Sequence, residues 1–528
     1  MPPKSNDKKS DILIHETGQI LDNADQDPSP RLVKLKDADV TLSFMNQYDS
    51  DIREITLKEE KELSTKIKWV IVPIAFLVNL LLFMDKATLS YASILGLLDD
   101  TGLSKSQYND ANSLYYVGYL IGNIPGHLLM QRLPIGKLLT VQVFIWSIII
   151  FLHCTAHNPS GVYALRFFLG VVESYVTSLL VIVQSFFLTP SERSAVQPIF
   201  YASAFASDIP TGFIAFGVLH TKNSLHPWKI FMIIIGGFTF LTSIFLLYFF
   251  PNNPTNAKFL TIQERVWTIR RIQKASRSSI ELKRFKKYQM IESLKDPISW
   301  LFVLFMCCLN LGNNLNYQKN LLYSGIGGMS RIKTTYITVI QACFSILCSA
   351  SASYIMFKVR NIRAYVAFGW CIPSVIGGIL MVSLSYENKI GLVGSLMLAA
   401  STHAITWIIG YSWTVTSTSG LTKIYTRSVM VMIAYSVSNI IAPQIWRETD
   451  SPRYYPAWII QIVIAWSFAP TILLLIDLIL RRRNKKRLSN IGELSYGYVQ
   501  IEGGEEEAVD IAALDLTDLE NENFIYEL

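Results

Sequence analysis

The chain has 528 residues, 51% of them hydrophobic and 16% charged, where soluble chains carry about 25% charged residues. That much apolar surface cannot be hidden in soluble cores, and six cysteines in so aliphatic a chain exclude a disulfide scaffold or a disordered protein. The formal net charge of +7 is segregated: residues 251–296 hold 11 Lys/Arg against four Asp/Glu, Arg481 to Arg487 is a basic block, and 488–528 carries 11 acids and no base. Basic blocks beside apolar runs set the orientation of a membrane protein and are no sign of nucleic-acid binding.

Twelve apolar runs of about 20 residues follow in chain order, each long enough to cross about 30 Å of hydrocarbon. They centre on 69–90, 108–131, 136–156, 160–188, 195–219, 228–250, 298–321, 334–357, 363–385, 390–413, 424–446 and 456–480, and are numbered here spans 1 to 12. The first 66 residues are polar, so span 1 is expected to act as an uncleaved signal. Lys/Arg in the short loops do not decide the orientation. The basic central loop and the basic block after span 12 do, and both termini are expected in the cytoplasm.

This layout predicts an all-α integral membrane protein with five parts. They are a cytoplasmic N-terminal tail (1–66), a six-helix bundle (67–250), a cytoplasmic linker (251–297), a second six-helix bundle (298–480) and a cytoplasmic C-terminal tail (481–528). Two six-helix bundles and a linker are the plan of the major facilitator fold. The linker stretch Gln263 to Arg271 has helical spacing and a basic face, read as a helix lying on anionic headgroups. The cysteines fall in or beside spans without zinc-ligand spacing and read as packing residues, so no metal is expected.

A charge inside a membrane costs at least about 2.5–3.5 kcal/mol and needs a reason to persist. Span 1 holds Asp85 and Lys86, adjacent and therefore pointing apart on a helix. Span 4 holds Arg166 and Glu173, two turns apart on one face. Burial favours the uncharged form of a carboxyl, which suits Asp85 and Glu173 to exchange protons, with Asp208 in span 5 as a third candidate. Asp477, near the end of span 12, reads as a rim residue beside Arg481. Asn310, Asn313, Asn314, Asn316 and Gln318 are too many amides for a lipid-facing span 7 and are expected to line a wet cavity or another helix. Tyr115, Tyr116, Tyr119, His403, Trp407 and Asn439 are further candidate liners. Gly118, Gly122 and Gly126 form overlapping G-x-x-x-G steps and read as a close-packing device. No P-loop, dinucleotide fingerprint, zincin or serine-elbow motif occurs, so no cofactor or enzymatic activity is expected and transport would run on a gradient.

Taken together, these stretches resemble a known family. Met84 to Ala92 is similar to the D-R-x-N-x-x-x-A signature of the anion:cation symporter family of the major facilitator superfamily. Tyr115 to Gly126, with Pro125 and Gln131-Arg132, resembles its second-helix stretch, and Arg166 to Glu173 its R-F-x-x-G-x-x-E. Phe250 to Pro254 and Leu260 to Arg265 resemble its linker, and Asp515 to Leu528 the tail of fungal allantoate-permease-type members. The resemblance implies a proton-coupled symporter that imports a small anionic or zwitterionic metabolite by alternating access, with cysteine or another sulfur compound foremost. Asp85 and Glu173 would carry protons, joined by Asp208, and Lys86 would hold the substrate carboxylate. Arg166, Tyr115, Tyr119, Asn310, Asn313, Asn314, Gln318 and Asn439 complete the candidate substrate-binding set.

Two departures stand out. Lys replaces the usual Arg at 86, losing a bidentate fork for carboxylate, and Glu173-Ser174-Tyr175 replaces E-A-P, leaving the helix geometry there open. The alternatives are a transporter-like nutrient sensor signalling through its tails, or a permease for a vitamin or carboxylate such as allantoate, nicotinate or a thiamine-related compound. The expected partners are the substrate, protons and the lipid bilayer, with no nucleic acid. The expected state is a monomer in the plasma membrane, with the endoplasmic reticulum as the other compartment.

Overall fold

Side-chain caps set where the helices begin. The computed structural model describes residues 44–45, 47–48, 52–221, 224–276, 286–326, 330–359, 361–489, 496–500, 506–510, 517–521 and 524–528. Thr56 with Glu59, Ser104 with Gln107, and Thr189 with Glu192 form reciprocal capping boxes at the starts of spans 1, 2 and 5, satisfying N–H groups that the first turn leaves without partners. The charged entry of span 1 lengthens it to Leu57–Ile94.

Among the described residues, eleven helices are long and apolar enough to cross a membrane. The twelfth expected span, Lys105–Arg132, is 28 residues long but carries Asn109, Asp110, Asn112, Ser113 and four tyrosines. Its Asn109, Asn112, Tyr115, Tyr116 and Tyr119 are buried against other helices. The polar face that dilutes its hydropathy therefore points into the protein, so the twelve-helix plan holds. A short antiparallel ribbon pairs Tyr496–Gln500 with Glu506–Asp510 in the C-terminal tail.

The buried apolar residues form two cores. One runs from Leu63 to Trp267 and takes in Tyr317, and the other runs from Ile298 to Leu528. The halves meet where span 2 packs on span 11, span 5 on span 8, and span 1 on span 7. Glycine sets the tightest contact within the first half. A Cβ on Gly118 would lie 2.1 Å from the Phe167 carbonyl oxygen, and one on Gly170 would lie 1.9 Å from that of Tyr115. Spans 2 and 4 can touch backbone to backbone only because neither carries a side chain there.

Four spans are interrupted. Span 4 is Pro159–Glu173 followed by Val176–Phe187, and span 5 is Pro190–Ala206 followed by Asp208–Leu219. Span 7 is Pro297–Asn310 followed by Leu315–Gly325, and span 12 contains a π-helical stretch at Gln461–Phe468. The first three breaks fall at Glu173, at Asp208 and at Asn310 to Asn314, all singled out in the sequence.

The linker packs an apolar face on the protein. Its first helix, Ile262–Ser276, buries Val266, Ile269 and Ile272 against the first half. Arg271 is 2.9 Å from Glu192, and the Trp267 indole donates to the Arg53 carbonyl. Burial alone would raise the Glu192 carboxyl, but hydrogen bonds from Ser64 and Thr189 and the charges of Arg271 and Lys68 hold it below the ordinary range. The second linker helix, Lys287–Lys295, packs instead on spans 7 and 11 of the second half.

Candidate functional site

Span 1 turns Asp85 and Thr88 toward spans 3 and 4. The Trp146 indole N–H of span 3 donates to Asp85 Oδ2 at 2.7 Å, and the Thr88 hydroxyl lies 3.2 Å from Oδ1. Glu173 of span 4 faces Asp85 closely enough for the two carboxyls to act on each other. Tyr115, delivered by the glycine contact between spans 2 and 4, donates its hydroxyl to Glu173 Oε2, while Glu173 Oε1 is buried without a hydrogen-bond partner among the described residues. Asp85 and Glu173 are each 1% exposed.

Lys86 points the other way round the helix, as adjacency requires. Its ammonium lies over the rings of Phe83 and Tyr119, 5.0 and 5.5 Å from their centroids. Among the described residues no hydrogen bond or ion pair reaches it. Glu173 and Asp85 are the carboxylates that act on it. Lys86 is thus a half-buried cation with donors to spare, beside an Asp85 held by Trp146 and Thr88 and a Glu173 held by Tyr115. Arg166, 2% exposed, donates to the Thr88 hydroxyl at 3.1 Å and does not pair with Glu173. Both nevertheless face span 1, as their spacing predicts.

The amides divide into three groups. Asn313 Nδ2 is 2.6 Å from Asn439 Oδ1 and 3.4 Å from the Tyr116 hydroxyl, so it reaches from the second half to the first. Gln318 donates to Asn109, which donates to the Trp446 carbonyl, and both contacts join the halves. Asn310 bonds back to its own helix at the Met306 carbonyl, while both side-chain polar atoms of Asn314 are buried without a partner. Trp407 stacks on Tyr411 and meets Tyr435 and Tyr201. His403 instead packs on Trp466 of span 12, away from this group.

Asp208 lies apart from the Asp85–Glu173 pair. It forms a 2.5 Å ion pair with Lys319 of span 7, tying the halves together. Lys319, Trp146 and Tyr317 escaped the sequence reading. The Tyr317 carbonyl accepts from Ser90 and Tyr108, and its hydroxyl meets that of Tyr116 at 2.8 Å. The rule that flagged Asp85 should have flagged Lys319, a charge inside span 7. Asp477 accepts from Arg481 at 2.6 Å, as its rim position suggested.

The arrangement places two buried acids, a cation with no hydrogen-bonded partner among the described residues and a set of amides and aromatic rings where two helical halves meet and three helices are broken. Broken helices at such an interface free backbone groups for ligands and ions. The chain is 48% identical to the high affinity cysteine transporter of Saccharomyces cerevisiae over 512 residues, covering 94% of this chain and 96% of that protein. It is 28% identical to the allantoate permease of the same yeast, over 90% and 88% of the two chains. A solved D-xylose-proton symporter superposes with a TM-score of 0.59 at 13% identity, over 78% of this chain and 96% of that one, a likeness of fold. The Major Facilitator Superfamily model matches residues 75–443, from the core of span 1 to the end of span 11 and through every residue of the acid pair, the free lysine and the amide group, so this multi-pass membrane transporter belongs to that family.

Proposed function

We propose that the chain imports cysteine, or a closely similar small zwitterion or organic anion, together with protons, by alternating access between the two halves. The observation that carries this reading is the burial of Asp85 and Glu173 together in the first half beside a Lys86 ammonium that has no hydrogen-bonded partner among the described residues. A substrate carboxylate would neutralise Lys86, and protons on Asp85 and Glu173 would remove the remaining charge from the closed site. Each step lowers the cost of enclosing ions away from water. Asn313, Asn439 and Tyr119 are placed to take the rest of a small polar ligand, and Arg166 to hold Thr88 and span 1 in position. The rocking units in this reading are 67–250 and 298–480, joined by 251–297, with the tails 1–66 and 481–528 in the cytoplasm. The protein acts as a monomer in the plasma membrane. Cysteine is preferred because the relative of that name is similar over nearly the whole of both chains.

The test is uptake in a transporter-deficient yeast expressing the protein, with cysteine, sulfonates, monocarboxylates and allantoate in competition. Cysteine should be taken up, and raising the external pH should reduce uptake. Competition by carboxylates lacking sulfur but not by cysteine would move the substrate to the carboxylate class.

A further inference from the structure

The strongest unexplained contact in the molecule joins its last residues to the linker end of the second half. Asp518 and Tyr526 are 1% and 2% exposed, unusual for a chain terminus. The Lys423 ammonium of span 11 is 2.7 Å from Asp518 Oδ1, and the Thr418 hydroxyl donates to the same oxygen at 2.5 Å. The other oxygen accepts from the Tyr526 hydroxyl at 2.9 Å. Asn484 of span 12 clamps the Tyr526 backbone from both sides, accepting from its N–H and donating to its carbonyl, each at 2.9 Å. Arg487 lies 4.6 Å from the centroid of the Tyr526 ring and donates to the carbonyls of Phe524 and Asp518.

Farther along, the Trp413 indole of span 10 donates to the Glu527 carbonyl, and Arg363 of span 9 pairs with the Glu527 carboxylate at 2.6 Å. The segment also reaches the linker. Thr517 donates to Glu292 of the second linker helix, and Lys423 bridges that Glu292 at 2.7 Å. Gly420, at φ +88°, opens the seat, since a Cβ there would press on Thr517 at 3.1 Å and on Gln289.

One short segment therefore touches spans 9, 10, 11 and 12 and the linker helix through side-chain charge, ring and backbone recognition together. Packing alone would not need a doubly clamped backbone or a buried Asp–Lys pair, and such pairs specify one partner more than they stabilise. We propose that the described tail residues 517–521 and 524–528 act as a tethered peptide ligand. Its seating locks the Lys287–Lys295 linker helix and the turn between spans 10 and 11 to spans 9 and 12, so that the second half turns over as one body. Unseated, the linker helix slips on the bundle, and the transport cycle slows without loss of substrate affinity.

The test compares the full chain with a version ending at residue 514, both in lipid nanodiscs, by hydrogen–deuterium exchange and by uptake in proteoliposomes. Truncation should speed exchange at least tenfold in 287–295 and 418–427 and leave spans 1 to 6 unchanged. It should lower maximal uptake about fivefold at constant KM. A synthetic peptide of residues 515–528 should reverse both effects, and the same peptide carrying Asp518→Asn and Tyr526→Ala should not. Unchanged exchange on truncation, or equal rescue by the two peptides, would overturn the proposal. If the truncated chain does not fold, full-length Asp518→Asn/Tyr526→Ala serves: the same local rise in exchange supports the clasp, and none refutes it. The exchange readout needs no substrate, so it stands whatever the cargo proves to be.

Discussion

The Trp146 indole donates a 2.7 Å hydrogen bond to Asp85, and Asp85 and Glu173 of span 4 are both buried beside it. A tryptophan from one span thus holds one member of an acid pair shared by two others. The indole and Thr88 together fix the position of Asp85. Asp85→Asn keeps the shape and the hydrogen-bonding partners but removes the titration. It should still exchange substrate across the membrane while losing gradient-driven accumulation, read by counterflow against net uptake.

Trp146→Phe keeps the ring and removes the donor. A hydrogen bond to a charged group contributes about 1.5–3 kcal/mol, so net uptake should fall by roughly tenfold or more while the melting temperature in detergent changes little. A variant with unchanged uptake would show that the indole only fills space.

Lys86→Ala should raise the KM for substrate by about 10- to 100-fold, the loss expected for one charge-assisted contact, with expression and thermal stability retained. Lys86→Arg should recover much of the affinity, because guanidinium also binds carboxylate. An unchanged KM in the alanine variant would move the carboxylate contact to Arg166, the other buried cation near span 1.

Gly170→Leu would drive a side chain into the Tyr115 backbone, where even a Cβ would sit 1.9 Å from the carbonyl oxygen. Overpacking of this kind costs about 1–3 kcal/mol or more and would pull Tyr115 off Glu173. Lower thermal stability should come with loss of coupled uptake. Gly217→Ala, where a Cβ meets nothing within 4 Å, is the matched control and should leave both unchanged.

The Asp518 carboxyl gives a pH prediction. Burial alone would raise it, but Lys423, the Thr418 hydroxyl and Arg427 hold it below the ordinary carboxylate range. A folded-state value below the unfolded one stabilises the fold above the ordinary value, and that contribution drains away as pH falls through the lowered one. Tail seating should therefore be flat from neutral pH down to about 5 and weaken only below about 4. Exchange rates in 418–427 measured across that range check it, and Asp518→Asn should abolish the pH step.

The residues that a sequence exposes best here are those that break a local rule. Asp85, Lys86, Arg166 and Glu173 were visible because charge is scarce inside membrane helices, and Gly118, Gly122 and Gly126 because their spacing marks one helix face. Trp146 and Tyr317 were invisible for the opposite reason: an aromatic in an apolar span reads as packing until its polar atom has an address. The break after Glu173 left only the hint of Ser174-Tyr175 where the resemblance expects proline. The contact of Arg271 with Glu192 was not legible, because a basic helix face reads only as a charged surface until its partner is placed. The tail contacts join residues a hundred positions apart, such as Thr418 and Asp518, and no local pattern encodes them.

The central claim is that substrate entry is driven by protons held at Asp85 and Glu173 beside Lys86. It is tested most directly in proteoliposomes given an imposed pH gradient, following labelled cysteine with and without a protonophore. Accumulation above equilibrium that collapses with the gradient, and that is absent in Asp85→Asn, is the predicted result. Cysteine uptake indifferent to the gradient and to the protonophore would contradict it.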